Sequence, residues 1–155
     1  MKKIYFALLI MVSSLFITCS STKQEVKSSF QGDVPYIVAK NYFVKNNADL
    51  SILKDNKIET EKEFSKLFGF ATVMGNEGKS TPIDFSAQYV IAIIGEATDL
   101  STELEPLSLI KHKDSLTLNY LERVGSKQTF TIKPFIILIV DRKYNGSIIL
   151  NKVIS

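Results

Sequence analysis

The apolar positions fall into three patterns along the chain, and each predicts a different kind of structure. Residues 4–17 form an almost unbroken apolar run behind Lys2 and Lys3, interrupted only by Ser13 and Ser14. The run is shorter than the ~20 residues a bilayer-spanning helix needs, so it predicts the helical core of a secretory signal peptide over residues 1–18. Residues 19–34 are poor in large apolar side chains and rich in Ser and charge, a composition that predicts a flexible tether. From Pro35 onward apolar residues recur densely, and residues 35–155 read as a single globular domain.

Within that domain, Tyr36, Val38, Tyr42 and Val44 alternate with Ile37, Ala39, Asn41 and Phe43, which predicts a strand ending at the turn Asn46-Asn47. Thr60-Glu61-Lys62-Glu63 fits a capping box. Phe64, Leu67, Phe68 and Ala71 follow at i, i+3, i+4 and i+7, one apolar stripe on a short helix. Residues 74–82 are rich in turn formers. The rest predicts strands over 89–94, 107–111, 116–121, 130–140 and 148–153, separated by loops at Lys113-Asp114, Gly125-Ser126 and Asn145-Gly146. Residues 89–94 and 135–140 lack polar alternation, which predicts central strands covered on both faces. Pro134 has no N–H for a ladder and predicts a strand start or bulge. Asn145-Gly146 is the strongest hairpin signal. The expected fold class is α+β: mainly an antiparallel β-sheet meander with one short helix packed on it, preceded by the signal helix.

Cysteine count sharpens the reading of the N-terminus, because Cys19 is the only cysteine and closes the apolar run. Leu15-Phe16-Ile17-Thr18-Cys19 resembles a bacterial lipobox, and with Phe16 and Thr18 it is similar to the relaxed lipoboxes of Bacteroidetes. That resemblance implies lipidation of Cys19, cleavage before it and a membrane anchor through the lipid. Ser20-Ser21-Thr22-Lys23-Gln24 lacks the acidic cluster of a surface-export signal, so the expected location is the cell envelope, on a periplasm-facing outer membrane.

Removing residues 1–18 takes Lys2 and Lys3 but no acid. The 19 Lys plus Arg become 17 against 16 Asp plus Glu, and the formal charge falls from +3 to +1. The basic balance of the whole chain is therefore no argument for a nucleic-acid partner. With no second cysteine, an internal disulfide is excluded and stability must come from packing.

Candidate chemistry is sparse. Gly75-Asn76-Glu77-Gly78-Lys79-Ser80-Thr81 lacks the spacing of a phosphate-binding loop, which would need Gly where Val73 stands, so no nucleotide site is expected. His112, the only histidine, lies between Lys111 and Lys113 and reads as a solvated surface residue rather than a catalytic base. With one histidine and a cysteine committed to lipid, no protein-ligated zinc site is expected. Residues 96–106 carry four carboxylates in what reads as an acidic loop without the pivotal glycine of a calcium loop. No cofactor, metal or catalytic residue is assigned. Tyr36, Tyr42, Tyr120 and Tyr144, with polar tips suited to an interface, are the candidate interaction surface.

The order of a short helix over 61–68, then Pro82-Ile83-Asp84-Phe85-Ser86, an apolar strand over 89–94 with Gly95, and late strands with Pro134-Phe135 resembles the C-terminal domain of the PrcB-like family over residues 58–141. In place of that family's Gly-Gly-Tyr turn, Gly95 is followed by Glu96-Ala97-Thr98-Asp99. The resemblance implies a small, mostly β domain of a secreted or lipid-anchored protein, with an envelope protein such as a protease as partner. The expected function is a non-enzymatic binding or accessory role. The alternative is a hydrolase acting on envelope glycan or peptide through carboxylates alone.

Overall fold

The computed structural model describes residues 31–71 and 78–153. The expected signal peptide, Cys19, residues 19–30 of the tether and residues 74–77 of the turn-rich segment lie outside the described residues. In chain order the strands are β1 (Gly32–Asp33), β2 (Ile37–Val38), β3 (Tyr42–Val44) and β4 (Lys57–Ile58). Helix α1 (Glu61–Leu67) comes next, followed by β5 (Phe68–Phe70), β6 (Gln88–Ile94), β7 (Thr98–His112), β8 (Ser115–Ile132), β9 (Phe135–Asp141) and β10 (Ser147–Val153). Short 3-10 turns at Leu50–Ile52 and Lys54–Asn56 link β3 to β4. No helix among the described residues is long and apolar enough to cross a membrane.

Two four-stranded sheets stack face to face. One runs β1-β7-β8-β10 and the other β2-β9-β6-β4, while β3 and β5 form a separate antiparallel pair. Period two divides the side chains of β6 between two cores. Tyr89, Ile91 and Ile93 meet Leu109, Leu116, Leu118, Ile136, Leu138 and Val140 between the sheets. Val90 and Ala92 face the other way, onto Tyr42, Phe64, Leu67 and Phe68 of α1 and the β3–β5 pair. This is why residues 89–94 and 135–140 show no polar alternation: both faces are covered, and each Leu or Ile so buried contributes about 1.5–3 kcal/mol.

Helix α1 starts where the capping box predicts. Thr60 Oγ accepts from Glu63 N at 3.2 Å, and the Glu63 carboxylate accepts from Thr60 Oγ at 3.0 Å and Glu59 N at 3.3 Å. Phe64 and Leu67 are its buried residues, and the chain becomes extended at Phe68, so Ala71 lies beyond the helix. Gly69 then lets β5 pass against Phe43, whose ring would lie 2.5 Å from any added Cβ.

Several expectations are corrected. The sheets do not form a simple meander: β10 runs parallel to β8, from Ser147↔Ser115 to Val153↔Leu121, with β9 of the opposite sheet as their crossover. Asn145-Gly146 is therefore a link between sheets and not a hairpin turn. Both edges of β9 are already taken, by β2 and β6, and Ile148 and Leu150 pack against the core between the sheets. The expected strand over 36–44 is broken at Asn41, which adopts a left-handed φ of 62° and turns the chain from the second sheet into the third layer. The domain also begins before Pro35, since β1 pairs with β7 and Val34 is buried between the sheets. Of the loop expected at residues 96–106, residues 98–106 lie within β7, and Gly125-Ser126 lies within β8. Pro134 interrupts the strand expected over 130–140, and its carbonyl accepts from Gly95 N at 2.8 Å just before β9 starts.

Candidate functional site at the bulged ribbon

The β7–β8 hairpin is much longer than the sandwich that holds it. β1 pairs with β7 only at Ile110 and Lys111, with Val34 N donating to Leu109 O beside them. β10 pairs with β8 only as far as Leu121. Beyond those points, residues 98–108 of β7 and 122–132 of β8 pair with no strand other than each other among the described residues. Both outer edges of this ribbon thus carry main-chain groups without a strand partner.

The sequence explains the ribbon's shape. Leu100, Thr102 and Leu104 alternate with Asp99, Ser101, Glu103 and Glu105, a half-buried strand pattern hidden in an acidic stretch. Pro106 lies opposite Tyr120 immediately before a register shift, a place where a strand tolerates proline. A larger irregularity lies near the end. Between the pairs Leu100↔Lys127 and Thr98↔Ile132, β7 has only Asp99 where β8 has residues 128–131. Bulges of this kind re-aim side chains. Phe130 in this bulge and Val124 before it are each 59% exposed, and the side-chain Oε1 of Gln128 is buried without a hydrogen-bond partner.

Two cavities flank the base of the ribbon, sharing Thr102, Leu104 and Pro134. The larger, about 720 Å³, lies against Phe43, Val44 and Phe135 and carries Glu103 and Lys133. The smaller, about 360 Å³, is lined by Ile93, Leu100, Tyr120 and Val124 and carries Glu96 and Glu122. A third, about 400 Å³, is built by aromatics of the helical layer, where Tyr42 and Phe64 meet edge to face at 5.1 Å.

The four carboxylates of residues 96–106 do not gather in one place. Asp99 pairs with Lys127 at 3.0 Å and Glu105 with Arg123 at 2.9 Å. Glu96 and Glu103 line different cavities, and Glu122 is ion-paired with Lys152 of β10. Four carboxyl groups elsewhere are shifted, all below the usual range. Asp49, Asp84 and Asp141 are held down by hydrogen bonds from Ser51, Ser86 and Lys143, and Glu59 chiefly by its hydrogen bond from Lys57. Among the described residues, no three His, Cys, Asp or Glu are close enough to hold a metal ion. No family model, curated protein or solved structure matches the chain.

Of the tyrosines expected to form a surface, Tyr42 belongs to a different cluster from the other three. Tyr42 is buried in the helical layer and donates to Thr81 O at 2.6 Å, and burial raises its pKa. Tyr36, Tyr120 and Tyr144 are half-buried against the core between the sheets. His112 is exposed at the end of β7, where its carbonyl accepts from Ser115 Oγ at 3.0 Å. A turn expected at Gly125-Ser126 hides Phe130 and Val124 in the sequence; the signal that points to them is the strand alternation from Leu100 to Leu104.

Proposed function

We propose that the chain is an exported, lipid-anchored envelope protein with a non-enzymatic binding role, and that a protein partner docks on the β7–β8 ribbon. The single observation supporting the docking site is a ribbon whose edges pair with no other strand among the described residues and which carries the exposed Phe130 and Val124 on a bulged strand. An open edge offers main-chain hydrogen bonds to an incoming strand, and exposed apolar side chains on the same element supply anchors. The anchor at Cys19 would concentrate the domain at a periplasm-facing outer membrane. An accessory or inhibitory subunit of an envelope protease is the specific form that the resemblance over residues 58–141 suggests.

Mild crosslinking in membranes of the source bacterium, followed by purification of the native chain and of Cys19→Ser, tests this. One envelope protein recovered in stoichiometric amount with the anchored form alone is the expected result. Equal membrane retention of the mutant, with no partner for either form, would overturn both the anchor and the binding role.

One observation favours the hydrolase reading: Glu96 and Glu122 line the same small cavity. That reading requires Glu96→Gln and Glu122→Gln each to abolish hydrolysis of an envelope glycan or peptide by the purified chain.

A further inference from the structure

Lys57 and Asn145 hold an arrangement that the binding reading does not use. Lys57 is on β4, at the edge of the second sheet, and Asn145 is in the link that carries the chain to β10 of the first. The Lys57 ammonium donates to Asn145 Oδ1 at 2.7 Å, and Glu59 Oε1 lies 2.9 Å from the same nitrogen. Gly146 N–H donates to that same Oδ1 at 2.9 Å. The Lys57 side chain is only 17% exposed and its nitrogen lies over the ring of Tyr89, 4.8 Å from the centroid. From the first sheet, Lys111 Nζ donates to the main-chain carbonyl of Asn145. An amine, a carboxamide, a carboxylate and an N–H donor therefore meet at one point.

We propose that Lys57 and Asn145 become joined by an intramolecular amide bond that ties the two sheets together. The carboxylate of Glu59 takes a proton from the Lys57 ammonium, and the neutral amine attacks Cγ of Asn145, one C=O bond beyond the oxygen it already contacts. The new C–N bond forms as the C=O electron pair moves onto Oδ1, where the Gly146 N–H stabilises the negative charge. Collapse of this intermediate breaks the Cγ–Nδ2 bond: the departing nitrogen takes up the proton held by Glu59, and the freed carboxylate removes the second proton of the attacking amine and passes it to the released ammonia. The products are a secondary amide and an ammonium ion. No oxidant, metal or second substrate takes part.

The positioning supplies what such a step needs. A slow bimolecular reaction becomes unimolecular once reacting atoms are held close to the attack distance, and Lys111 fixes the main chain on which the amide rides. The Glu59 carboxylate lies 2.9 Å from the Lys57 nitrogen and 3.6 Å from Arg142, which holds it in place to receive the proton. In a chain whose only cysteine is Cys19, this bond would provide a covalent closure that no internal disulfide can.

Peptide mapping of the purified full chain by mass spectrometry tests the proposal. A branched peptide joining the Lys57 and Asn145 segments, lighter by one ammonia than its two linear parts, is expected in the wild type and absent in Lys57→Arg. Glu59→Gln should form the same peptide roughly a hundredfold more slowly, the size of a lost proton-transfer group; an unchanged rate would overturn the role given to Glu59. Gly146 N is the competing nucleophile at the same carbon. Linear peptides alone after prolonged incubation, with Asn145 intact or converted to aspartate and isoaspartate, would overturn the cross-link.

Discussion

Lys111, on an inner strand of one sheet, is 8% exposed and donates its ammonium to the main-chain carbonyl of Asn145 in the link that leaves the other. A buried cation is tolerated when its donors are satisfied, and here the partner is a turn that also needs fixing. Lys111→Met keeps the apolar stem but removes the donor, so it should lower unfolding stability by about 1–3 kcal/mol. Lys113→Met, two residues along and exposed, should stay within about 0.5 kcal/mol of wild type. Urea denaturation of both variants checks the contrast.

Gly146 is required by proximity. A Cβ there would lie 2.8 Å from the carbonyl oxygen of Asp114, a main-chain atom at the β7–β8 turn that also accepts from Ser147 N at 2.9 Å. The backbone cannot swing aside as a side chain would. Gly146→Ala should therefore cost about 1–3 kcal/mol in thermal or denaturant unfolding.

Tyr89 gives the domain a sensitivity to alkali. Its ring is buried between the sheets and its hydroxyl donates to Tyr144 O at 2.8 Å. Burial chiefly, and then the Glu59 charge, raise its pKa well above the ordinary 10.0. The folded state thus holds a proton that the unfolded chain releases. The resulting stabilisation is complete below the ordinary tyrosine value and is lost as pH rises from there toward the raised folded value. Tyr89→Phe should be less stable at neutral pH by about 1–3 kcal/mol, and the gap to wild type should narrow above about pH 10. Denaturant midpoints measured across that range would show it.

The exposed apolar residues of the ribbon should matter little to folding. Phe130 and Val124 are largely exposed, so Phe130→Ser and Val124→Ser should leave the unfolding midpoint within about 0.5 kcal/mol of wild type. Both should nevertheless lower recovery of a partner from the envelope.

The central layer was legible because β6 and β9 carry unbroken apolar runs, and helix α1 because Thr60, Glu63, Phe64 and Leu67 satisfy capping and periodicity together. What escaped was pairing. Asn145-Gly146 has the local chemistry of a hairpin, but a turn dipeptide does not reveal that both edges of β9 are taken and that Ile148 and Leu150 pack into the core between the sheets. The ribbon was missed for a related reason. Asp99, Glu103, Glu105 and Pro106 look like a loop until Leu100, Thr102 and Leu104 are counted as one face, and Gly125-Ser126 looks like a turn although it lies within β8. Residues far apart in sequence, such as Lys57 and Asn145, meet only once the crossover is known.

The most direct measurement places a photo-crosslinking residue at position 130 of the full-length chain in membranes of the source bacterium, with the same probe at the exposed Ile149 of β10 as comparison. Binding through the ribbon predicts one dominant adduct from position 130 and none from position 149. Adducts from position 149 alone, or equally from both, would contradict it.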